Sequence, residues 1–174
     1  MKASNALLDA ATLRERLRFA NSFTRLPRLL DLADQSVEAD WLRVLGEEWS
    51  VCDNFGQMLG RLIDHSPFGD VVDWPFGYRS LLMNEAETAA LADLPEKFTI
   101  WRGCYQLNQR GLSWSLDRDL ASRFPTLHRY RQDGQPLLIE AVLQREEVIA
   151  LKLDRSEAEV VAWCPEVVRV SALG

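Results

Sequence analysis

The sequence predicts an α+β chain, a helical first half followed by a β-rich second half. Two observations carry this. Through about residue 95, apolar residues recur at spacings of three and four, the period of a helix that buries one face. From Lys97 onward the pattern changes to short β-branched and aromatic runs with brief connections, as in an antiparallel sheet system. Size agrees: 174 residues, 47% hydrophobic and 26% charged, are ordinary for a globular protein. A core is accessible without disulfides. The organisation expected is a helical region over 1–95 and a β-rich core over 96–174.

The elements follow in order. The stretches "ALLDAATLRERLRFANSF" and "LPRLLDLADQSVEADWLRVLGEEW" read as helices, with Pro27 suited to a helix start. "NFGQMLGRLIDH" reads as a further short helix. "SPFGDVVDWPFGY" is dense in Pro, Gly and Asp and reads as a loop. "NEAETAALADLP" reads as a helix with Asn84 as N-cap and Glu87 at the third position, a capping box, stopped by Pro95. "KFTIWRG" and "GLSWSL" read as strands. "DRDLASRF" reads as a helix beginning near Asp117, and "RQDGQP" as a turn. "LLIEAVL", "EVIALKL", "EAEVVAW" and "EVVRVSAL" complete the strands.

Composition excludes several classes. Cys52, Cys104 and Cys164 form no CxxC pair and fit reduced thiols of the cytosol. His65 and His128 stand far apart without ligand company, so no metal site is expected. No apolar run has the length of a membrane span, and Asp9 and Arg14 interrupt the N-terminus too early for a secretory signal. A cytoplasmic, bacterial setting is the expectation. The net charge of −6 is uneven: residues 1–97 carry 10 basic and 16 acidic side chains, residues 98–174 carry 10 of each. A broad phosphate-binding surface is therefore not expected on the first half, whose acidity hints at a basic partner. In the second half, Arg110, Arg118, Arg123, Arg129 and Arg131 gather against Asp117 and Asp119. This patch is either a solvated face or a seat for ligand phosphates.

Three short stretches carry chemistry. "EAE" places Glu157 and Glu159 two positions apart, on one side of a strand and about 6.6 Å apart. Val161 and Trp163 share that side, while Ala158, Val160 and Ala162 form a small apolar side suited to packing. Acids are poor strand formers, so the carboxylates either flank an exposed strand entrance or open onto a cleft. "IWRG" puts the guanidinium of Arg102 at a strand end beside Gly103, where backbone can approach a ligand closely. "SWS" projects Ser113 and Ser115 together, two hydroxyls able to bind a sugar or orient a carboxylate. No Walker loop and no GxGxxG is present.

The order of these motifs, Arg102, then Ser113-x-Ser115, then Glu157-x-Glu159, resembles the arginine–serine–glutamate branch of the ADP-ribosyltransferase superfamily. The phrase "LPEKFTIWRGC…GLSWSLDRDLASRF…EVIALKLDRSEAEVV" is similar to its small bacterial and phage-associated members, and the likeness spans about residues 94–165. The resemblance implies a split-sheet catalytic core that takes NAD as substrate. It implies transfer of ADP-ribose to a protein side chain, such as arginine, or to nucleic acid, in a toxin or effector. NAD glycohydrolysis and an inactive binding module are the alternatives on the same fold. It implies that Arg102 holds the NAD phosphates and ribose and that the Gly103 backbone pairs with the nicotinamide amide. Ser113 would prop the catalytic glutamate, with Ser115 supporting. Glu159 would bond the nicotinamide ribose 2′-hydroxyl, and Glu157 would activate the acceptor. The aromatic that stacks on nicotinamide would be Phe124, Trp114 or Tyr105. Two features depart from the branch: Trp114 stands where threonine is usual, and only ten residues separate Arg102 from Ser113. So short a connection implies a shallow site or one completed by the N-terminal helices. The helical half would serve as a lid, a recognition element or a docking surface for an antitoxin or other protein partner.

Overall fold

A computed structural model describes residues 6–154 and 158–174. Among the described residues seven α-helices fill the first half: α1 (Ala10–Leu17), α2 (Arg25–Asp31), α3 (Glu38–Glu48), α4 (Phe55–Asp64), α5 (Phe68–Asp73), α6 (Pro75–Leu82) and α7 (Glu85–Ala92). The second half holds β1 (Lys97–Tyr105), β2 (Ser113–Ser115), α8 (Arg118–Arg123), β3 (Pro136–Gln144), β4 (Ala150–Lys152), β5 (Glu159–Val161) and β6 (Glu166–Ala172). The chain is thus α+β, with its helices mostly N-terminal.

Local chemistry sets the boundaries. Asp9 caps α1 by accepting from the Thr12 N–H at 2.8 Å. Asn84 and Glu87 form the expected reciprocal box at the start of α7, each bond 2.9 Å. Asp117 caps α8 through the N–H groups of Asp119 and Leu120. The stretch read as a loop, 66–78, instead forms α5 and the first half of α6. Pro67 and Pro75 stand at the starts of these helices, where a missing N–H removes no intrahelical bond. Gly69 lets α5 approach α4, since a Cβ there would lie 2.5 Å from the Ile63 carbonyl oxygen.

The six strands form one antiparallel sheet in the order β4-β5-β2-β1-β3-β6. It is built of two unequal parts. β1 and β3 pair along their whole length, from Lys97 opposite Gln144 to Tyr105 opposite Pro136. β4, β5 and β2 are three residues each. The two parts meet at a single register pair, Trp101 opposite Ser115. Beyond it β1 runs on alone on that side, and the sheet opens.

Buried side chains of both halves form one continuous core, from Leu13 and Trp41 in the helices to Ile100, Val160 and Val161 in the strands. Val161 and Val160 are both fully buried, so β5 is packed on both faces rather than on the Ala158–Val160–Ala162 side alone. Among the described residues, no helix is long and apolar enough to cross a membrane, and no cluster of His, Cys, Asp and Glu could hold a metal ion.

Candidate active site

A cleft of about 740 Å³ lies where β1 and β2 part. That volume falls within the range of small-molecule sites, roughly 300–1,000 Å³. Its walls come from both halves. The sheet contributes Trp101, Arg102, Gly103, Ser113, Ser115 and Glu159; the helical half contributes Trp49, Ser50, residues 52–57 around Phe55, and Leu59. The three motifs, spread over 58 residues of sequence from Arg102 to Glu159, thus line one cavity.

The antiparallel register arranges the polar groups. Ser115 stands directly opposite Glu159, and Ser113 opposite Val161, one diagonal step away. Side chains directly opposite share a face with Cβ atoms about 5 Å apart. In the register Ser115 is therefore the direct neighbour of Glu159, and Ser113, expected to prop it, stands one diagonal step away. The Ser115 Oγ also accepts the Asp117 N–H at 3.0 Å, fixing the turn into α8. Glu157 lies outside the described residues.

Arg102 is a clamp as well as a charge. Its Nη1 donates to the Ser113 carbonyl at 2.7 Å and its Nη2 to the Asn108 carbonyl at 3.1 Å. These bonds pin β2 and the 106–112 connection across the opening of the sheet. Burial pushes the guanidinium below its ordinary value, opposed by Cys104 and by the negative charge of Glu159. Each terminal nitrogen thus commits one of its two protons to a main-chain oxygen. Nε of Arg102 and Nε1 of Trp101 are buried without an acceptor among the described residues. Gly111 makes room for this clamp: a Cβ there would strike Nη2 and lie 2.6 Å from Cζ of Arg102. At Gly103 the space of a side chain is taken by the Ala121 carbonyl of α8 and by Pro125 just after it, whose Cδ would lie 2.7 Å from a Cβ. Its glycine identity is explained by helix packing.

Sequence reasoning missed Trp49. It follows α3, is 2% exposed, stacks on Phe55 with ring centroids 4.0 Å apart and lies tilted against Phe68 at 5.7 Å. Its indole Nε1 donates to Glu159 Oε1 at 3.0 Å, across 110 positions of sequence. Ser50 next to it donates to Asp154 Oδ2 at 2.8 Å. Among the aromatics expected to stack on a ligand, Trp114 and Tyr105 are buried, and Tyr105 donates its hydroxyl to the Pro125 carbonyl at 2.7 Å. Phe124 is half-buried on the cleft wall, edge to face with Tyr130 at 5.8 Å. It is the ring best placed for a ligand. Burial pushes the Cys52 thiol up to about 12, so it stays protonated at neutral pH and is no nucleophile.

No family model matches the chain, and neither curated proteins nor solved structures give a match. The functional reading therefore stands on the cleft itself. Chemically, its sheet side offers the Glu159 carboxylate, the Ser113 and Ser115 hydroxyls and the desolvated cation of Arg102, with an aromatic wall, and Asp53, Asp154 and Ser50 line it as well. Exposed Arg110 and Arg131 at its rim have no ion-pair partner among the described residues.

Proposed function

We propose that the chain is an NAD-dependent mono-ADP-ribosyltransferase, acting on a protein side chain or a nucleic acid, in the manner of a bacterial or phage toxin. The observation that carries this is the convergence of Arg102, Ser113, Ser115 and Glu159 on one cleft at the opening of the sheet. Their order and types resemble the arginine–serine–glutamate transferases, and a split-sheet core of that kind is part of the proposal.

The chemistry suits these groups. The bond from ribose C1′ to the nicotinamide nitrogen breaks, both electrons leave with nicotinamide, and nicotinamide departs neutral. The ribose passes through an oxocarbenium-like state. A carboxylate beside it is worth more there than in the ground state, and this is Glu159. The acceptor then bonds to C1′ and releases a proton. Arg102 supplies positive potential from behind the diphosphate, while Arg110 and Arg131 supply the open guanidiniums for its oxygens. Phe124 covers the nicotinamide. Glu157 is assigned the acceptor by resemblance alone.

The test uses NAD labelled in its adenylate part, with and without bacterial lysate. Label transferred to a macromolecule by the wild type and lost with Glu159→Gln supports the proposal, and protease or nuclease digestion names the acceptor. Loss of a transition-state carboxylate is expected to lower turnover by about 10²–10³-fold. Nicotinamide release without transfer would instead mean a glycohydrolase. Absence of both NAD binding and turnover in the wild type would overturn the enzymatic reading.

A further inference from the structure

The helical half has no motif, yet it supplies the hydrogen bond that Glu159 receives. Among the described residues the Glu159 carboxylate accepts one side-chain bond, from the Trp49 indole at 3.0 Å. We propose that Trp49 is a positioning residue for Glu159, so that the helical half is a built-in part of the reaction centre. The inference rests on the reading of Glu159 as the carboxylate that faces the ribose.

The physical need is specific. A glutamate on a strand has three side-chain torsions, and an unfixed carboxylate presents no defined oxygen to a substrate. Trp49 fixes Oε1 and leaves Oε2 to the ribose hydroxyl. Its own ring is held by the stack with Phe55 and by Phe68, so the donor is itself preorganised. The donor is also neutral. A cationic partner would cancel the field that stabilises the oxocarbenium, and such a partner stands close by: Lys152 lies directly opposite Glu159 in the β4–β5 register. It does not pair with Glu159. Its Nζ is drawn to Glu87 Oε2 at 3.1 Å and to the Leu82 carbonyl at 2.7 Å, both from the helical half. The helices thus remove the competing cation and supply a neutral donor in its place.

Trp49→Phe keeps an aromatic ring for Phe55 and Phe68, deletes the N–H and leaves a smaller ring in a packed site, so the comparison in the Glu159→Gln background separates the lost bond from the lost volume. The expected result is a fall in kcat for nicotinamide release of about tenfold, with KM for NAD changed by less than about twofold. In a Glu159→Gln background the same substitution is expected to add nothing, because Trp49 acts through that carboxylate. An unchanged kcat in the single variant, or an equal loss in both backgrounds, overturns the proposal and leaves the transferase reading intact. A wild type that neither binds nor cleaves NAD removes both. A second measurement needs no change at Trp49: its indole N–H resonance is expected to shift in Glu159→Gln, and an unmoved resonance overturns the contact.

Discussion

At the scale of the residue, Arg102 and Gly111 show how one side chain comes to depend on another's absence. The guanidinium reaches the Ser113 and Asn108 carbonyls only because position 111 carries no Cβ. Gly111→Ala is expected to displace it, costing about 2 kcal/mol, since hydrogen bonds to charged groups are worth roughly 1.5–3 kcal/mol each and part is recovered by relaxation. NAD affinity, read by calorimetric titration, should fall by about tenfold, the equivalent of about 1.4 kcal/mol. An unchanged affinity with a lowered Tm would mean that Arg102 serves the fold alone. The motif residues themselves were legible in the sequence, because residue type and order are local facts. Gly111 and Trp49 were not. Neither has a neighbour in sequence that reveals what it touches, and the Trp49–Glu159 bond spans 110 positions.

At the scale of the element, periodicity identified most helices and all six strands, and failed where two effects compete. Residues 66–78 carry Pro67, Gly69, Pro75 and Gly77, which punctuate a chain when read alone. In the fold both prolines start short helices. The glycines mark close approaches: a Cβ at 69 would meet the Ile63 carbonyl oxygen at 2.5 Å and one at 77 would meet the Trp74 ring at 2.7 Å. Tertiary packing thus overrode local propensity. The converse case is the turn between β5 and β6, where Cys164 adopts φ +49° although it is not glycine. The left-handed region costs an L-residue about 1–2 kcal/mol, part of which glycine would lose again to its greater unfolded-state freedom. Cys164→Gly is therefore expected to stabilise by up to about 1 kcal/mol, raising Tm by about 2–4 °C for a chain of this size. Thermal denaturation decides it, and a lowered Tm would show that the thiol contributes more than the strained backbone costs.

At the scale of the whole molecule, polar contacts as well as the shared core tie the helices to the sheet. Arg79 of α6 donates to the Val148 carbonyl at 2.9 Å, to the Arg145 carbonyl at 2.7 Å and to the Glu146 carbonyl. Arg145 returns to the Ala92 and Leu94 carbonyls, both at 2.7 Å. The Lys152–Glu87 pair is the deepest of these ties, with both side chains at most 5% exposed. Removing one partner of a buried pair costs about 3–5 kcal/mol, because the other charge is left uncompensated, whereas removing both is often close to neutral. Lys152→Met is thus expected to lower Tm by on the order of 10 °C. Glu87→Gln can still accept the Asn84 N–H in the capping box, but it leaves the ammonium without its anion. Lys152 is then free to turn to Glu159, its cross-strand neighbour. That variant should lose NAD turnover at temperatures where it remains folded, while Lys152→Met should not. The double variant Glu87→Gln/Lys152→Met should recover both stability and turnover. Equal turnover in Glu87→Gln and wild type would show that the lysine stays clear of the carboxylate without help, and that the helical half guards the fold but not the charge of its site.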